Sequence, residues 1–507
     1  MSAAPSVEPR VDLHVDLRQR RDLALVAVAA ALSTLPLWLS RFPIAQDLPA
    51  HIETAAQIRA LWAGDVDVTA LYRLHAQPWP NATPVLLLAP LLSLFDGLLA
   101  GKLLLALGVV AWPVSIGLLL QRLGRPALLA LLVLPTSFDL SFSYGFLHFV
   151  LGKPLWALCL VAAVDVARTA SVGRLVRLAL LLAVLFSTHL MLFATAVPLC
   201  AVIVVVCAAS WGTRLRAAIA TAAGGAPSLW WWSQQPPARG GATTFLSPGE
   251  GLARLWSNLG DLHSGPLDAV PWLLGLAGLL TATLTARRTA IGKETVAVVV
   301  VVAGVLAFAW FGPVRLPQVS VVAERFWSLG AALLVCVPPI ALSKKGRVVV
   351  VVAALVGLTV HVTDLTRRWR AFSSQDMGDF DGLLKQIPPR SRIATFYVTP
   401  LSSWGRHNAL WHWGKLAALQ GSSTDDNFAW RDTCVVGLVP GVTPPRHPHL
   451  VDGELAPWDF LLVRGASPSV DKRLAALHVQ LVTSTGSWRL FRIEKSKTKT
   501  TTTTAQP

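Results

Sequence analysis

The residues best placed to do chemistry stand in one short run, Ile44-Ala45-Gln46-Asp47-Leu48-Pro49-Ala50-His51-Ile52-Glu53. Asp47 follows closely on the first apolar stretch, 23–39, so its carboxylate falls near a membrane surface. Pro49 is tolerated in a first helical turn, and Asp47 and His51 are four residues apart, one turn along such a helix. A carboxylate held beside an imidazole at a lipid–water boundary can act as a base or orient an acceptor hydroxyl. A second reading stands beside it: Asp47 as the N-cap of the helix that Pro49 opens. His51 alone reads equally as a packing histidine, and Glu53 reads as solvated.

Further polar residues sit where apolar ones cost less. Asp139 is the one acid in Ser137-Phe138-Asp139-Leu140-Ser141-Phe142-Ser143-Tyr144-Gly145-Phe146-Leu147-His148, and it serves either as a helix-end cap or as a second acidic site. Arg325, in Ala323-Glu324-Arg325-Phe326-Trp327, can hold a lipid phosphate bidentately, snorkel to the interface, or pair with Glu324. Lys153 can meet a phosphate or snorkel. His189 lies inside an apolar run, where an ionisable group is a functional candidate by default or is bonded to a neighbouring helix. Near the C-terminus, Trp404, Arg406, His407, Trp411, His412, Trp413 and Lys415 form an aromatic, histidine-rich strip in which Trp411 can stack on a sugar face or simply pack. His407 and His412 are five apart, not the i,i+4 pair of a helical zinc site, so a divalent metal is possible but not indicated.

These residues must be positioned by a membrane-embedded framework. Of 507 residues, 53% are hydrophobic and 14% charged, with a mean hydropathy of +0.55. That profile excludes disorder, a disulfide scaffold and an ordinary soluble enzyme, and predicts a polytopic α-helical membrane protein. Five scattered cysteines without a CxxC give no zinc or thiol-redox site. About eleven runs can cross a bilayer: 23–39, 99–120, 126–142, 149–167, 177–194, 196–211, 215–232, 270–286, 294–312, 325–342 and 347–364. Counted from an inside N-terminus bearing Arg10, Arg18, Arg20 and Arg21, the inner loops collect Arg122 and Arg125; Arg168, Arg174 and Arg177; Arg214 and Arg216; Arg287, Arg288 and Lys293; Lys344, Lys345 and Arg347. The net charge of +16 therefore orients the chain in a membrane and calls for no nucleic acid. The run 84–95 must be re-entrant or interfacial, because a span there would invert every later loop.

The chain thus divides into a cytoplasmic segment 1–22, a transmembrane domain 23–366, and an extracytoplasmic domain 367–495 with a disordered tail 496–507. The transmembrane domain carries a large first outer loop, 40–98, and another at 233–269. In the first loop, Ile52, Ala55, Ala56, Trp62 and Ala63 share one helical face, which predicts a helix lying along the interface. In the C-terminal part, 380–387 reads as a helix, and 391–398, 434–439 and 458–463 as buried strands. A helix at 470–477 and a hairpin over 478–493 turning near Gly486 complete a small α/β domain.

A first span followed at once by a large outer loop with an early Asp resembles the GT-C glycosyltransferases. The form Asp-x-Pro-x-His, Asp47 to His51 here, is similar to that of a little-characterised bacterial branch of the superfamily. The resemblance implies transfer of a sugar from a polyprenyl-phosphate donor to an acceptor on the outer face of the cytoplasmic membrane, with inversion. It implies for Asp47 a role at the acceptor, with His51 and Asp139 as further catalytic candidates. Arg325, Lys153, His189, Glu53 and Trp411 are then the substrate-binding candidates. Relatives show paired acids where this chain has only Asp139, which leaves metal dependence open. The partners implied are the lipid-linked sugar and membrane lipid.

Two other classes compete. A transporter or lipid flippase needs charged residues lining a central cavity, and the spans are nearly free of them; no internal repeat is visible either. A non-catalytic membrane scaffold would use the outer α/β domain to bind a partner. P-loop, GxSxG, HExxH and dinucleotide fingerprints are absent from the sequence, which disfavours direct use of a nucleotide sugar.

Overall fold

A computed structural model describes residues 13–75, 78–235, 242–259, 265–317, 319–425, 427–431, 433–443 and 449–495. Arg10 and the tail 496–507 lie outside the described residues. The chain forms two compact units: one of Met1–Leu39, Gln77–Pro84 and Lys102–Arg367, the other of Ser40–Ala76, Val85–Gly101 and Arg368–Pro507. The segments 40–76 and 85–101 of the first loop thus belong to the same unit as the C-terminal region.

The first unit is helical. Among the described residues of the whole chain, seven helices are long and apolar enough to cross a membrane: Leu17–Leu39, Gly97–Arg122, Leu147–Arg168, Leu190–Cys207, Pro266–Thr285, Lys293–Phe311 and Lys344–Leu384. The other four of the eleven expected runs are helical but fall short of that standard. Residues Ala127–Phe138 wind as a tight 3-10 helix with Pro135 inside it, followed by the short helix Leu140–Ser143. Val172–Thr188 stops at 17 residues, Phe326–Leu333 has eight, and Trp211–Ser233 is long but carries two arginines and three glycines. The stretch expected to be re-entrant or interfacial contains the helix Thr83–Leu91; at nine residues it is about 14 Å long, too short to cross the roughly 30 Å hydrocarbon core.

Polar bonds tie the basic loops together at one end of this unit. Asp165 accepts from Arg122 at 3.0 Å and from Arg177, Arg168 pairs with Glu294 at 3.6 Å, and Arg347 pairs with Asp22. Arg125 donates to Thr295 at 3.0 Å, and the 287–288 strand pairs with 340–341. Loops far apart in sequence, gathered by their charge pattern, therefore meet in space.

Close helix approaches build the other end. Gly152 lies where a Cβ would come within 2.6 Å of Leu192 and 3.2 Å of the His189 Cβ, so only glycine lets the Leu147–Arg168 helix approach the break at His189. That break separates Val172–Thr188 from Leu190–Cys207. His189 itself is extended there and caps the second helix, its Nδ1 accepting from Leu192 N at 3.2 Å.

The second unit is mixed. A five-stranded sheet runs in the order Val479–Thr485, Trp488–Ile493, Phe460–Arg464, Arg392–Tyr397, Ser423–Thr424. The central strand Phe460–Arg464 pairs parallel with Arg392–Tyr397 and antiparallel with Trp488–Ile493, and it is buried along its whole length. Leu461, Val463, Trp458, Leu474, Phe491 and Ala394 make the core on one face. The hairpin turns at Gly486, whose φ of +54° is left-handed territory that glycine occupies without penalty. Val436–Leu438, expected as a strand, leaves this sheet and pairs instead with Tyr72–Leu74 of the first loop, in the same unit.

The helix expected in the first loop is more enclosed than its apolar face alone suggests. Leu48–Trp62 forms as expected, but every residue from Leu48 to Ile58 is buried, polar and apolar alike. It is not a half-exposed amphipathic helix, because the 3-10 helix Trp413–Gln420 and the turn Phe428–Trp430 pack on it. Only toward its end does Trp62 become exposed, at 55%.

Replacing Gly152 with Val is expected to lower stability by about 1–3 kcal/mol, the range for overpacking a tight contact. Gly173→Ala, at a glycine with open space around it, is the control and should change little. Thermal unfolding of the purified variants in detergent reads both.

Candidate functional site

In the mixed unit, the run singled out by sequence builds a buried polar cluster. Asp47 precedes the Leu48–Trp62 helix, but its side chain makes no capping bond, so the N-cap reading does not hold. Its Oδ1 instead accepts from Gln46 Nε2 at 3.1 Å and lies 3.6 Å from His412 Nε2, and the residue is 7% exposed. His51, one turn on, is also buried. Its ring and that of His412 both stand against Phe428, at centroid distances of 5.7 and 5.6 Å. The Arg431 guanidinium covers the Phe428 ring at 4.2 Å.

His412 is held by backbone geometry that few residues adopt. Its φ is +73°, and its N–H donates to the Tyr397 hydroxyl at 2.9 Å. Tyr397 in turn stacks on Trp411 at 5.4 Å and 10°. Non-glycine residues in this conformation persist where surrounding packing fixes them, and such positions cluster at functional sites. Trp411 thus packs against the tyrosine that holds the His412 backbone, beside the Asp47 carboxylate. The role of His412 was not legible beforehand; the signal was its place in an aromatic strip, without the partner that lies 365 positions earlier.

Glu53 is not solvated. It is 1% exposed, accepts from the Thr424 hydroxyl, and stands 3.6 Å from Lys415 Nζ. Lys415 also donates to the Asp425 carbonyl at 2.8 Å, and Asp425 Oδ1 accepts from Thr395 N at 3.2 Å. Burial pushes the Glu53 carboxyl above its ordinary range, opposed by Lys415 and by the Thr424 bond. These contacts fasten the Leu48–Trp62 helix to the segment 413–425.

The helical unit holds a second group of candidates, and it separates them. Asp139 caps Phe142 N at 3.1 Å, accepts from the Ser328 hydroxyl, and pairs with Lys153 at 3.1 Å, both side chains at most 2% exposed. Lys153 also donates to the Thr136 carbonyl at 3.0 Å. Lys153 therefore neither snorkels nor presents its ammonium to a phosphate at the surface; the pair joins three segments inside the bundle. The helix-end cap reading of Asp139 is correct, with an ion pair added that the sequence did not reveal.

Arg325 is different. Glu324 pairs with Arg254 at 3.1 Å and also lies within electrostatic reach of Arg325. The Arg325 Nε donates to the Val321 carbonyl and its Nη2 to the Ser320 carbonyl, at 2.6 and 2.8 Å, and the guanidinium stands 3.8 Å over the Phe146 ring. Val321 has a φ of +58°, strained for a β-branched residue, and its carbonyl is one of those that hold Arg325. His148 and His189 both lie within electrostatic reach of this guanidinium. Phe149 meets the His189 ring edge-on at 5.1 Å. Asn81 Oδ1 accepts from Leu190 N at 3.3 Å, next to His189. One guanidinium with two imidazoles can receive a phosphate monoester or diester. His148 lay within the quoted 137–148 run but carried no spacing signal to distinguish it.

Among the described residues there is no group of three or more His, Cys, Asp or Glu side chains arranged to hold a metal ion.

The Glu53 carboxyl gives a pH-dependent expectation. Because its folded value is raised above the ordinary 4.5, the folded state holds this proton more tightly than the unfolded chain does. Its favourable contribution is full below that ordinary value and falls away as pH rises through the raised one. Glu53→Gln should therefore gain stability relative to the native protein as pH increases from about 4 to 7, read by thermal unfolding across that interval. A difference independent of pH would remove the assigned burial effect.

No family model matches the sequence, and no curated protein matches it. Solved structures do. The chain is similar to ArnT from Cupriavidus metallidurans in the apo state, with 13% identity, a TM-score of 0.58, and coverage of 93% of this chain and 97% of that one. It is likewise similar to the same protein bound to undecaprenyl phosphate, with 14% identity, a TM-score of 0.52, and coverage of 92% and 96%. This chain therefore shares the fold of ArnT along nearly the whole length of both chains.

Proposed function

We propose that this protein is a membrane glycosyltransferase that moves a sugar from a polyprenyl-phosphate donor to an acceptor on the outer face of the cytoplasmic membrane. The observation that carries this reading is the whole-length likeness to ArnT, which is known bound to undecaprenyl phosphate. The two polar clusters supply the chemistry it requires.

Asp47 acts at the acceptor. As the acceptor nucleophile attacks the anomeric carbon, the Asp47 carboxylate takes its proton. The bond from that carbon to the phosphate oxygen breaks, its electron pair leaves on the polyprenyl phosphate, and the anomeric configuration inverts. His412, 3.6 Å from Asp47, orients the carboxylate, and His51 borders it across Phe428. The leaving phosphate is met by the Arg325 guanidinium, with the His148 and His189 rings beside it, a fixed charge whose value rises as negative charge moves onto the phosphate. Asp139 and Lys153 neutralise each other and keep the helical framework in place. Glu53 does the same for the segment that carries His412.

Asp47→Asn should lower turnover about 10²- to 10⁴-fold, the usual contribution of a positioned general base, while the unfolding temperature stays near that of the native protein. Release of undecaprenyl phosphate from a membrane-extracted pool of polyprenyl-phosphate sugars measures this. Full activity in the variant would overturn the assignment.

Arg325→Met should weaken undecaprenyl phosphate binding about tenfold or more, as expected on losing a charge-assisted contact. Titration of the purified protein with undecaprenyl phosphate reads the change. Unaltered affinity would remove Arg325 from the donor site.

A further inference from the structure

The helical unit also carries a groove shaped to receive a lipid chain. A cavity of about 520 Å³ lies between the helices Leu190–Cys207 and Trp211–Ser233. Its walls are apolar or small, including Phe193, Val197, Val204, Ala218 and Ala222, and its one charged lining residue is Arg214. On the second helix the lining runs from Arg214 to Leu229, which is about 22 Å at 1.5 Å per residue. That exceeds the roughly 15 Å of hydrocarbon in one leaflet. The groove is thus long enough for a lipid chain and has a cation at one end only.

Arg214 is poorly provided for within the protein. Its Nη2 reaches the Ala208 carbonyl only at 3.4 Å, and its buried Nε has no hydrogen-bond partner among the described residues. The guanidinium leans on Trp211 at 4.8 Å, and Trp211 is 79% exposed, as a residue at the headgroup level would be. Arg214 also sits in the first turn of a 23-residue helix whose cap, Ser210, accepts from Thr213 N at 3.2 Å. The positive end of that helix adds to the guanidinium charge. The preceding helix ends at Cys207, within electrostatic reach of Arg168, Lys293 and Glu294, so this is the basic end of the unit. By the distribution of arginines and lysines, that end faces the cytoplasm.

We infer that the groove between these two helices binds an anionic glycerophospholipid of the cytoplasmic leaflet, its phosphate on Arg214 and an acyl chain along Ala218, Ala222 and Val197. The charge selects the headgroup and the small residues make room for the chain. A neutral lipid or an apolar helix of another protein would fill the groove without using Arg214.

The test uses the full-length protein purified in detergent and incubated with phosphatidylglycerol, phosphatidylcholine or diacylglycerol, with retained lipid read by native mass spectrometry. The native protein should retain phosphatidylglycerol about tenfold over phosphatidylcholine, the scale of a charge-assisted hydrogen bond. Arg214→Gln should reduce that preference to near unity. Ala222→Phe should abolish retention by filling the groove, whereas Ala223→Phe, on an exposed neighbouring position that does not line it, should leave retention unchanged. Unfolding temperatures in lipid-free detergent establish that each variant is folded. Equal retention of the lipids by the native protein, or a preference that survives Arg214→Gln, would overturn the inference. So would retention that survives Ala222→Phe in a folded variant. Undecaprenyl phosphate turnover by Arg214→Gln should stay native in either case.

Discussion

An ionised side chain removed from water must be met by another charge or by fixed dipoles, and both units of this protein are organised around that constraint. In the helical unit Asp139 and Lys153 meet at 3.1 Å inside the bundle, tying the end of the 3-10 helix, the Leu147–Arg168 helix and Ser328 together. In the mixed unit Glu53 and Lys415 meet at 3.6 Å and tie the first loop to the segment 413–425. Removing one partner from such a pair leaves an uncompensated charge, typically at a cost of about 3–5 kcal/mol. These pairs make the framework specific, and they absorb the acids and bases that would otherwise compete for a functional role.

What stays outside those pairs is informative. Asp47 is buried without capping its own helix, and the group that faces it is an imidazole 3.6 Å away. Arg325 is anchored by two carbonyls, one of them from a residue with a strained backbone, and two histidines share its field. Both arrangements hold a polar group in a defined position. That is the condition for a side chain to act on a substrate that brings its own proton or phosphate.

Much of this was legible in the sequence. Hydropathy and loop charge predicted a helical membrane protein, and the loops carrying Arg122, Arg168, Arg177 and Arg347 do meet at one end through Asp165, Glu294 and Asp22. The short strands at 392–397 and 460–464 and the turn at Gly486 follow from β-branched and apolar runs broken by glycine. Other features depend on contacts between residues hundreds of positions apart. Nothing local to Glu53 distinguishes a solvated helix residue from one buried against Thr424 and Lys415. The amphipathic reading of the Leu48–Trp62 helix failed for the same reason, since a helix packed on all sides shows polar residues that pattern alone assigns to water. Lys153 looked like a snorkelling lysine because its partner lies fourteen residues earlier, around a turn.

The central claim is that Asp47 works at the acceptor while Arg325 holds the phosphate of a polyprenyl-linked donor. An experimental structure of the protein with undecaprenyl phosphate tests it most directly. The expected result is phosphate density within hydrogen-bonding distance of the Arg325 guanidinium, beside His148 and His189. Phosphate bound elsewhere, with Arg325 still on the Val321 and Ser320 carbonyls, would contradict it.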